Sequence, residues 1–357
     1  MVTSDPQILS VSLSSTYLML ESMKDNNVNF ANFVGMKEYI NFVTLHDQAY
    51  ATPSGFREAN SIPIWTRSGK FTLTPNMYMN VIETFKPDMY VALCDGDTNI
   101  NSSKKRVSNS IQNSTKFFDN CFTKHSSSEA LKSSEILGAI EGGYDKDART
   151  ISINYLKTKP IIGYVIDGLH NNGPDVKNIP SEQIREIVQH TNNLLPPEKL
   201  RVSMGCWNPL TVLDLVELGT DIFDTSYPYI ITENLRALTF LCDHDDCNNV
   251  GHTISFTEER YADDFSPICS HCECLTCKNH TKAYLYHLCN VKEMLGSVLL
   301  MIHNIHQYLE FFKIIRESIK CGVLDDYKKK INLKFKQGNV AEADEPTNIK
   351  ETKSSSS

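Results

Sequence analysis

The chain has 357 residues, 41% of them hydrophobic, which is enough to bury a large core as one barrel-sized domain or as two smaller ones. Its formal net charge of −8 repels phosphate backbones, so any contact with nucleic acid needs a local patch or a partner. The eleven cysteines are an odd number, the start lacks the basic segment of a signal peptide, and no apolar run approaches membrane-spanning length. These features indicate a reducing compartment.

Residues 1–70 carry the weakest pattern of the chain. Residues 8–13 are β-rich and residues 16–23 have helical periodicity, but prolines and glycines interrupt the stretch that follows. We treat 1–70 as an N-terminal region that supplies an incomplete start of the domain after it.

Residues 71–240 alternate between helical and strand-like segments. Apolar runs of strand length, most of them ending at Gly or Asp, lie at 87–95, 136–140, 160–166, 200–204 and 221–226, and helical patterns lie at about 75–85, 103–122, 145–157, 181–194 and 209–218. This alternation indicates a parallel sheet covered by helices. We predict a (β/α)8 TIM-type barrel, whose functional face lies at the strand ends. A doubly wound open sheet is the alternative, although no glycine-rich phosphate loop follows the first strand.

Two polar segments are set apart from this pattern. Residues 241–264 are predicted to be a polar insertion, and residues 338–357, which end in four serines, a disordered tail. A second metal site can be drawn within the insertion, but its irregular spacing argues against it. Its ligands would be Cys242, His244, Cys247 and His252.

The strongest chemical signal lies in residues 265–320, which we assign to a zinc subdomain. Cys272, Cys274 and Cys277 are followed twenty-six positions later by His303. Three clustered thiols and a downstream imidazole match the Cys3His set of a closed, structural Zn²⁺ site. Other histidines could supply the fourth ligand instead: His271, His280, His287 and His306.

Helix geometry constrains this site. An unbroken helix from Thr281 to His303 would carry the imidazole roughly 30 Å from the thiols, at about 1.5 Å per residue. We therefore predict a short helix near 281–289, a reversal, and a long helix from about 291 to 320. Asn290 and Glu293 form a capping-box pattern that can start the second helix.

The long helix is apolar around much of its circumference. One stripe alternates by four and three residues: Val291, Leu295, Val298, Ile302, Ile305, Leu309 and Phe312. Further apolar residues lie outside that stripe: Met294, Leu299, Met301, Tyr308 and Phe311. A helix this apolar is expected either to pack into its own core or to place part of its surface against another subunit.

Several motifs resemble the queuine tRNA-ribosyltransferases, also called tRNA-guanine transglycosylases. They are Cys-Glu-Cys-Leu-Thr-Cys at 272–277, Ala-Tyr-Leu-Tyr-His-Leu at 283–288, Glu-Met-Leu at 293–295, and His303-Asn304. Gly-Thr-Asp-Ile-Phe-Asp at 219–224 resembles the family's last-strand segment. The match runs from about residue 72 to 319.

The resemblance implies a (β/α)8 barrel with an embedded zinc site, working as a dimer that exchanges guanine for queuine at the tRNA wobble position. In that chemistry an aspartate attacks the ribose and a second one handles protons. Asp224 matches the nucleophile. The family is known both in the cytoplasm and at the mitochondrial outer membrane, which implies a cytoplasmic protein that docks there peripherally.

Departures from the family's pattern concentrate at the active site. The Asp-Ser-Gly-Gly-Phe-Gln segment is absent, Asp-Glu-Cys is replaced by Asp-Gly-Asp at 95–97, and the glutamine of Val-Gln-Gly-Gly is Glu141. The Gly-Gly-Leu-Ala-Val-Gly-Glu loop has become Asp-Gly-Leu-His-Asn-Asn at 167–172. The arginine-bearing segment after Asp224 is Tyr-Pro-Tyr-Ile at 227–230, so a cationic RNA contact is missing.

This pattern resembles the family's non-catalytic accessory branch, whose members pair with a catalytic subunit and meet tRNA through the complex. Because catalysis needs the base pocket, both aspartates and the RNA contacts together, we interpret Asp224 as a vestigial nucleophile position. Two alternatives stay open: an active transglycosylase that uses Asp224, and a zinc-barrel scaffold unrelated to tRNA. Self-association into a homodimer is also compatible with the sequence.

Overall fold

The computed structural model describes residues 7–24, 28–56, 58–242 and 251–343, and the side chains up to residue 336. Its described residues fall into two compact units, one within residues 3–230 and the other within 231–357. None of the described helices is long and apolar enough to cross a membrane.

The first unit is built on one curled sheet of seven parallel strands. In sheet order they are β1 (Ile8–Ser12), β2 (Ile40–Thr44), β5 (Met89–Val91), β6 (Glu135–Ile140), β7 (Gly163–Ile166), β8 (Leu200–Ser203) and β9 (Ile222–Phe223). An antiparallel hairpin, β3 (Ile62–Thr66) with β4 (Gly69–Leu73), interrupts the series.

Strand order decides between the two folds that the sequence allowed. Each new strand of the series is added on the same side of its predecessor, whereas a doubly wound sheet reverses direction at a switch point. The α/β alternation and the parallel sheet are therefore confirmed. An eighth strand and a pairing of β9 with β1 are absent from the described part of the chain, so the structure is a partial barrel.

Helices cover the outside of this sheet. They are α1 (Leu13–Thr16), α2 (Leu20–Lys24), α3 (Phe30–Phe33), α4 (Pro75–Phe85), α5 (Lys104–Ser127), α6 (Lys146–Leu156), α7 (Ser181–Leu194) and α8 (Pro209–Glu217), followed by α9 (Ser226–Glu233) at the end of the unit. Short 3₁₀ turns lie at Tyr17–Met19, Glu129–Leu131 and Pro174–Asn178. Side-chain caps set five of these helix starts: Asn29, Thr74, Ser103, Asp145 and Asn208.

Alternation along the strands separates two hydrophobic cores. The inner face of the curled sheet carries Phe42, Met89, Val91, Leu137, Ala139, Val165, Val202 and Met204. The residues between them in sequence point the other way and pack with α4 and α5, among them Val43, Tyr90, Ile136 and Tyr164. Both faces are therefore buried, which explains why the strands read as continuous apolar runs.

The second unit combines a small sheet with four helices. Strands β10 (Arg236–Leu238) and β11 (Thr253–Ser255) pair antiparallel, a 3₁₀ turn follows at Glu259–Tyr261, and the helices are α10 (Leu275–Asn279), α11 (Lys282–Asn290), α12 (Met294–Cys321) and α13 (Leu324–Ala343).

Two predicted segments need correction. Residues 251–264 include β11 and the buried Ile254, Phe256 and Tyr261, so this part of the proposed polar insertion belongs to the core of the second unit. Residues 338–343, predicted to be disordered, continue α13. His244, Cys247 and residues 344–357 lie outside the described residues.

Candidate metal centre and strand-end pocket

The thiols and His303 meet because the chain reverses between α11 and α12, as predicted. The reversal is made by Val291 and Lys292, and Lys292 adopts a left-handed backbone with a φ of 58°. The predicted capping box is wrong: Glu293 occupies the N-cap without a side-chain hydrogen bond, and Asn290 donates its amide to the carbonyl of Tyr286 at 2.8 Å.

The four predicted ligands form one buried group. The Nδ1 of His303 lies 3.8, 3.6 and 3.3 Å from the sulfurs of Cys272, Cys274 and Cys277 respectively. A tetrahedral ion with bonds of about 2.3 Å to sulfur and 2.0–2.1 Å to nitrogen has sulfur–nitrogen edges of about 3.5 Å. The donor set and its spacing therefore fit a metal ion. The four alternative histidines lie outside this group of ligands.

Hydrogen bonds fix the ligand that comes from α12. The Nε2 of His303 lies 2.8 Å from the carbonyl oxygen of Leu238 in β10, so this nitrogen carries the proton and Nδ1 presents its lone pair to the thiols. The next residue, Asn304, accepts from the Leu238 amide at 2.7 Å and donates to the Arg236 carbonyl at 2.9 Å. Two consecutive polar residues thus attach α12 to β10.

Hydrogen bonds also fix the loop that carries the thiols. Cys274 is the N-cap of α10, and its sulfur accepts from the amide of Cys277 at 3.3 Å. The hydroxyl of Thr276 donates to the carbonyl of Leu299 in α12 at 2.7 Å. These contacts place the thiols against α12 in the metal-binding arrangement.

The charges of this cluster favour a bound cation. Hydrogen bonds with Cys274 and Cys277 lower the pKa of Cys272, while hydrogen bonds with Cys272 and Cys274 raise the pKa of Cys277. Burial lowers the pKa of His303, but its bonds to Cys272 and Cys274 outweigh burial and raise it to about 10. Three adjacent buried thiols cannot all ionise unless a metal ion compensates their charge.

A pocket lies at the carboxyl ends of the strands of the first unit. Its empty volume, which includes solvent at the mouth, is about 840 Å³. The sequence predicted that polar residues would gather at this edge, and Asp95 and Asp167 do line the pocket. The sequence analysis did not predict the other residues that line the pocket, which include His46, Phe56, Trp65 and His170. The position of His46 could have indicated that it lines the pocket, because it follows the buried strand β2 by two residues.

Both histidines of the pocket wall are neutral at pH 7. Burial lowers the pKa of His46 to about 4, against a smaller opposing effect of Asp97. Burial likewise lowers the pKa of His170 to about 4, although its hydrogen bond to the Met204 carbonyl raises it slightly. Neither side chain contributes a positive charge that could hold a phosphate.

Asp224, the position that matches the nucleophile, is not among the residues that line this pocket. One carboxylate oxygen accepts from the amide of Gly205, and the other accepts from the amide and the hydroxyl of Ser226. The side chain is 8% exposed. Asp224 therefore fixes the turn after β9 to the end of β8.

The burial of Asp224 has a measurable consequence for stability. Burial raises its pKa to about 6, despite the hydrogen bonds from Gly205 and Ser226. Between the unfolded pKa of 3.8 and this value the folded state binds more protons, so stability falls as pH rises. We expect wild-type protein to lose about 2 kcal/mol relative to Asp224→Asn between pH 4 and pH 7. Urea unfolding of both proteins at both pH values measures this, and a parallel pH dependence would contradict it.

Asp95 also has a structural role. Arg106 in α5 binds both of its carboxylate oxygens, one of them at 3.0 Å, and the amide of Asn113 donates to it at 2.9 Å. The Nε of Arg106 bonds the carbonyl of Asp97 at 2.9 Å. The sequence correctly predicted Asp95 at a strand end. Its contacts with Arg106 and Asn113 hold the 95–97 loop against α5.

Comparison with known proteins gives a consistent result. A sequence model of the queuine tRNA-ribosyltransferases matches residues 5–337. A protein of Aedes aegypti named queuine tRNA-ribosyltransferase accessory subunit 2 is 38% identical over 328 residues, which cover 91% of this chain and 78% of the relative. Proteins of the same name are 37% identical in Drosophila virilis, covering 96% and 82%, and 39% identical in Culex quinquefasciatus, covering 92% and 77%.

Proposed function

Because the chain belongs to the queuine tRNA-ribosyltransferase family, we propose that it is the non-catalytic accessory subunit of that enzyme. In this role it pairs with a catalytic subunit that exchanges guanine for queuine at the tRNA wobble position, and it meets tRNA as part of the complex. The names of its relatives and the match over most of the chain support this assignment.

The bonding of Asp224 is the observation that carries the non-catalytic assignment. A carboxylate nucleophile must direct a lone pair at the anomeric carbon of its substrate. Asp224 is only 8% exposed, does not line the strand-end pocket, and has both oxygens occupied by hydrogen bonds from Gly205 and Ser226. The residues that would position an RNA beside it are also replaced, so we propose that Asp224 is a vestige of the nucleophile.

The activity test uses labelled guanine and cognate tRNA. The isolated chain is expected to perform no exchange, and mixing it with the catalytic subunit is expected to give full activity. Exchange by the isolated chain would favour the active transglycosylase. No effect on the catalytic subunit would favour a scaffold unrelated to tRNA.

A substitution tests the role of Asp224 itself. We expect the reconstituted pair with Asp224→Ala or Asp224→Asn to keep exchange activity within about twofold of wild type, since no reacting group has been removed. Initial rates at saturating tRNA measure this. A loss of several orders of magnitude by the folded variants, or a covalent RNA adduct on Asp224, would contradict the proposal.

We propose Zn²⁺ as the ion of the Cys3His site. Three thiolates and one imidazole in a closed tetrahedral set are typical of structural zinc, and the bound ion would supply cross-linking and no open coordination position. Elemental analysis of the purified chain identifies the ion.

The proposal extends to architecture and location. We expect residues 1–70 and 71–240 to form together a closed barrel of the (β/α)8 TIM type, and residues 265–320 to act as its zinc subdomain. A crystal structure tests both. We also expect a cytoplasmic protein with a peripheral fraction at the mitochondrial outer membrane, which cell fractionation with carbonate extraction measures.

A further inference from the structure

We propose that Cys94, Glu141 and Asp167 form a second divalent-metal site, at the carboxyl ends of β5, β6 and β7. It is separate from the Cys3His centre, since it lies in the first unit and shares no ligand with it. Neither the family resemblance nor the proposed accessory role calls for it.

The sheet brings these three side chains together. Ile140 pairs with Ile166 across β6 and β7, so the residues that follow them, Glu141 and Asp167, are neighbours at adjacent strand ends. Each lies two positions beyond an inner-face residue, Ala139 or Val165, and therefore points to the same side of the sheet. Cys94 reaches the same place from the end of β5.

The distances fit a metal ion. The sulfur of Cys94 and one carboxylate oxygen each of Glu141 and Asp167 all lie within 4.8 Å of one another. The sulfur is 3.6 Å from an oxygen of Asp167. Bonds of about 2.3 Å to sulfur and about 2.0 Å to oxygen give a tetrahedral edge of about 3.5 Å, which agrees with this distance.

Glu141 gives a second, independent reason for a ligand. Its side chain is fully buried, and its Oε1 has no hydrogen-bond partner among the described residues. Its Oε2 has a long contact of 3.4 Å with the hydroxyl of Ser110, and the Glu141 carboxyl group also lies within hydrogen-bonding reach of the Asp167 carboxylate, another acceptor. A buried carboxylate oxygen that faces other acceptors is costly unless a proton or a cation lies beside it.

The two nearby arginines, Arg149 and Arg106, bind other groups in the structure. The guanidinium of Arg149 donates to three backbone carbonyls, those of Ile140, Gly143 and Asp167. Arg106 binds Asp95 and the carbonyl of Asp97. Two anionic carboxylates and a thiolate would balance the combined charge of a divalent ion and Arg149, so the occupied site is neutral.

Two glycines leave room for the carboxylates. A Cβ on Gly96 would lie 2.4 Å from an oxygen of Asp167, and a Cβ on Gly168 would lie 2.7 Å from the Oε2 of Glu141. Gly168 has a φ of 73°, which also favours glycine. The loops after β5 and β7 can therefore approach the carboxylates closely enough to enclose an ion.

The donor types select the class of metal. One thiolate with two carboxylate oxygens suits a borderline ion such as Zn²⁺ and disfavours Mg²⁺ and Ca²⁺, which prefer oxygen ligands alone. Cys94 and Asp167 also line the strand-end pocket, so the fourth coordination position opens into it. Three protein ligands with one open position are typical of zinc sites that exchange water or a small ligand.

Metal counting on the full-length chain tests the site. Protein equilibrated with excess Zn²⁺ and dialysed against a weak chelator is expected to hold two zinc ions per chain by mass spectrometry. Glu141→Gln and Cys94→Ser are each expected to hold one, and Cys274→Ser is expected to keep the strand-end ion. Cys321→Ser, which removes an exposed thiol, is the control and is expected to hold two.

Glu141→Gln keeps the size of the side chain, and circular dichroism checks that each variant is folded. Cobalt substitution gives a second readout, because loss of Cys94 should remove the absorption of one thiolate ligand while leaving that of the Cys3His centre. Binding of a single ion by wild type at pH 7.5 and at pH 8.5 would mean that Glu141 and Asp167 share a proton, and the proposal would fail. Two ions bound by folded Glu141→Gln would also overturn it.

Discussion

Replacing Cys274 by serine is expected to remove the ion from the Cys3His centre and to destabilise the second unit strongly. The substitution deletes one ligand but keeps a side chain that can cap α10, so the expected loss comes from the metal centre. Structural zinc contributes on the order of 10 kcal/mol of folding free energy in small domains, so a loss of at least ~4 kcal/mol is a conservative expectation. This corresponds to a fall in Tm of about 10 °C or more, measured by calorimetry.

The control is Cys289→Ser. Cys289 is buried in the same core but lies outside the ligand group, so its substitution is expected to cost about 1 kcal/mol and to leave the metal content unchanged. A strong chelator should lower the Tm of wild type and have little effect on Cys274→Ser. Retention of the ion and of the wild-type Tm by Cys274→Ser would show that the four residues are not a metal centre.

The Cys3His centre was predictable because two independent sequence features agree. Thiol spacing gives the donor set, and helix rise requires a break before His303 that places the imidazole near the thiols. The way the chain makes the break was not predictable from local preference. Lys292 adopts a left-handed backbone that non-glycine residues rarely take, and the capping signal at Asn290 is used for a bond within α11 instead.

The buried face of α12 is largely different from the apolar stripe that the sequence shows. The face that packs into the second unit contains buried polar residues, including His303, Asn304 and Gln307. A pattern of hydrophobic residues cannot recognise such a face, because the polar groups are buried only where tertiary partners satisfy them. Phe311, placed outside the stripe by the sequence, is fully buried.

For the residues at the strand ends, the positions were predictable from the sequence but the binding partners were not. Their positions follow from alternation of strands and helices, since residues after parallel strands gather at one edge. Their partners depend on other elements: Arg106 from α5 binds Asp95, and Ser226 binds Asp224. β2 and the hairpin β3–β4 were missed because prolines and glycines around them indicate loops, and long-range pairing overrides that local signal.

The apolar stripe of α12 is exposed at the start of the helix, where it forms a patch. Met294 is 81% exposed, Leu295 44% and Val298 47%, and Val291, at the reversal before the helix, is exposed as well. Exposed apolar groups this close together are typical of a protein–protein interface. We propose that the patch contacts the catalytic subunit, because the adjoining metal centre fixes α12 before pairing and lowers the entropic cost of association.

Charged substitutions in this patch are expected to weaken the heterodimer with the catalytic subunit. The double variant Leu295→Asp and Val298→Asp should weaken heterodimer formation by about 100-fold or more, since two unpaired carboxylates would be desolvated in an apolar interface. Analytical ultracentrifugation of the mixed subunits measures the Kd. Guanine exchange should fall in parallel at low subunit concentration and recover at high concentration, because no reacting group has changed.

The matched control is Lys313→Asp, an exposed position about 22 Å beyond Val298 along α12, where the net charge changes by the same two units but the patch is distant. It is expected to pair with wild-type affinity. Phe311 is unsuitable for this test because a charge at a fully buried position would unfold the second unit. If the double variant pairs as tightly as wild type while Lys313→Asp does not, the interface lies toward the C-terminal part of α12. If the double variant loses only self-association while Lys313→Asp keeps it, the patch serves a homodimer.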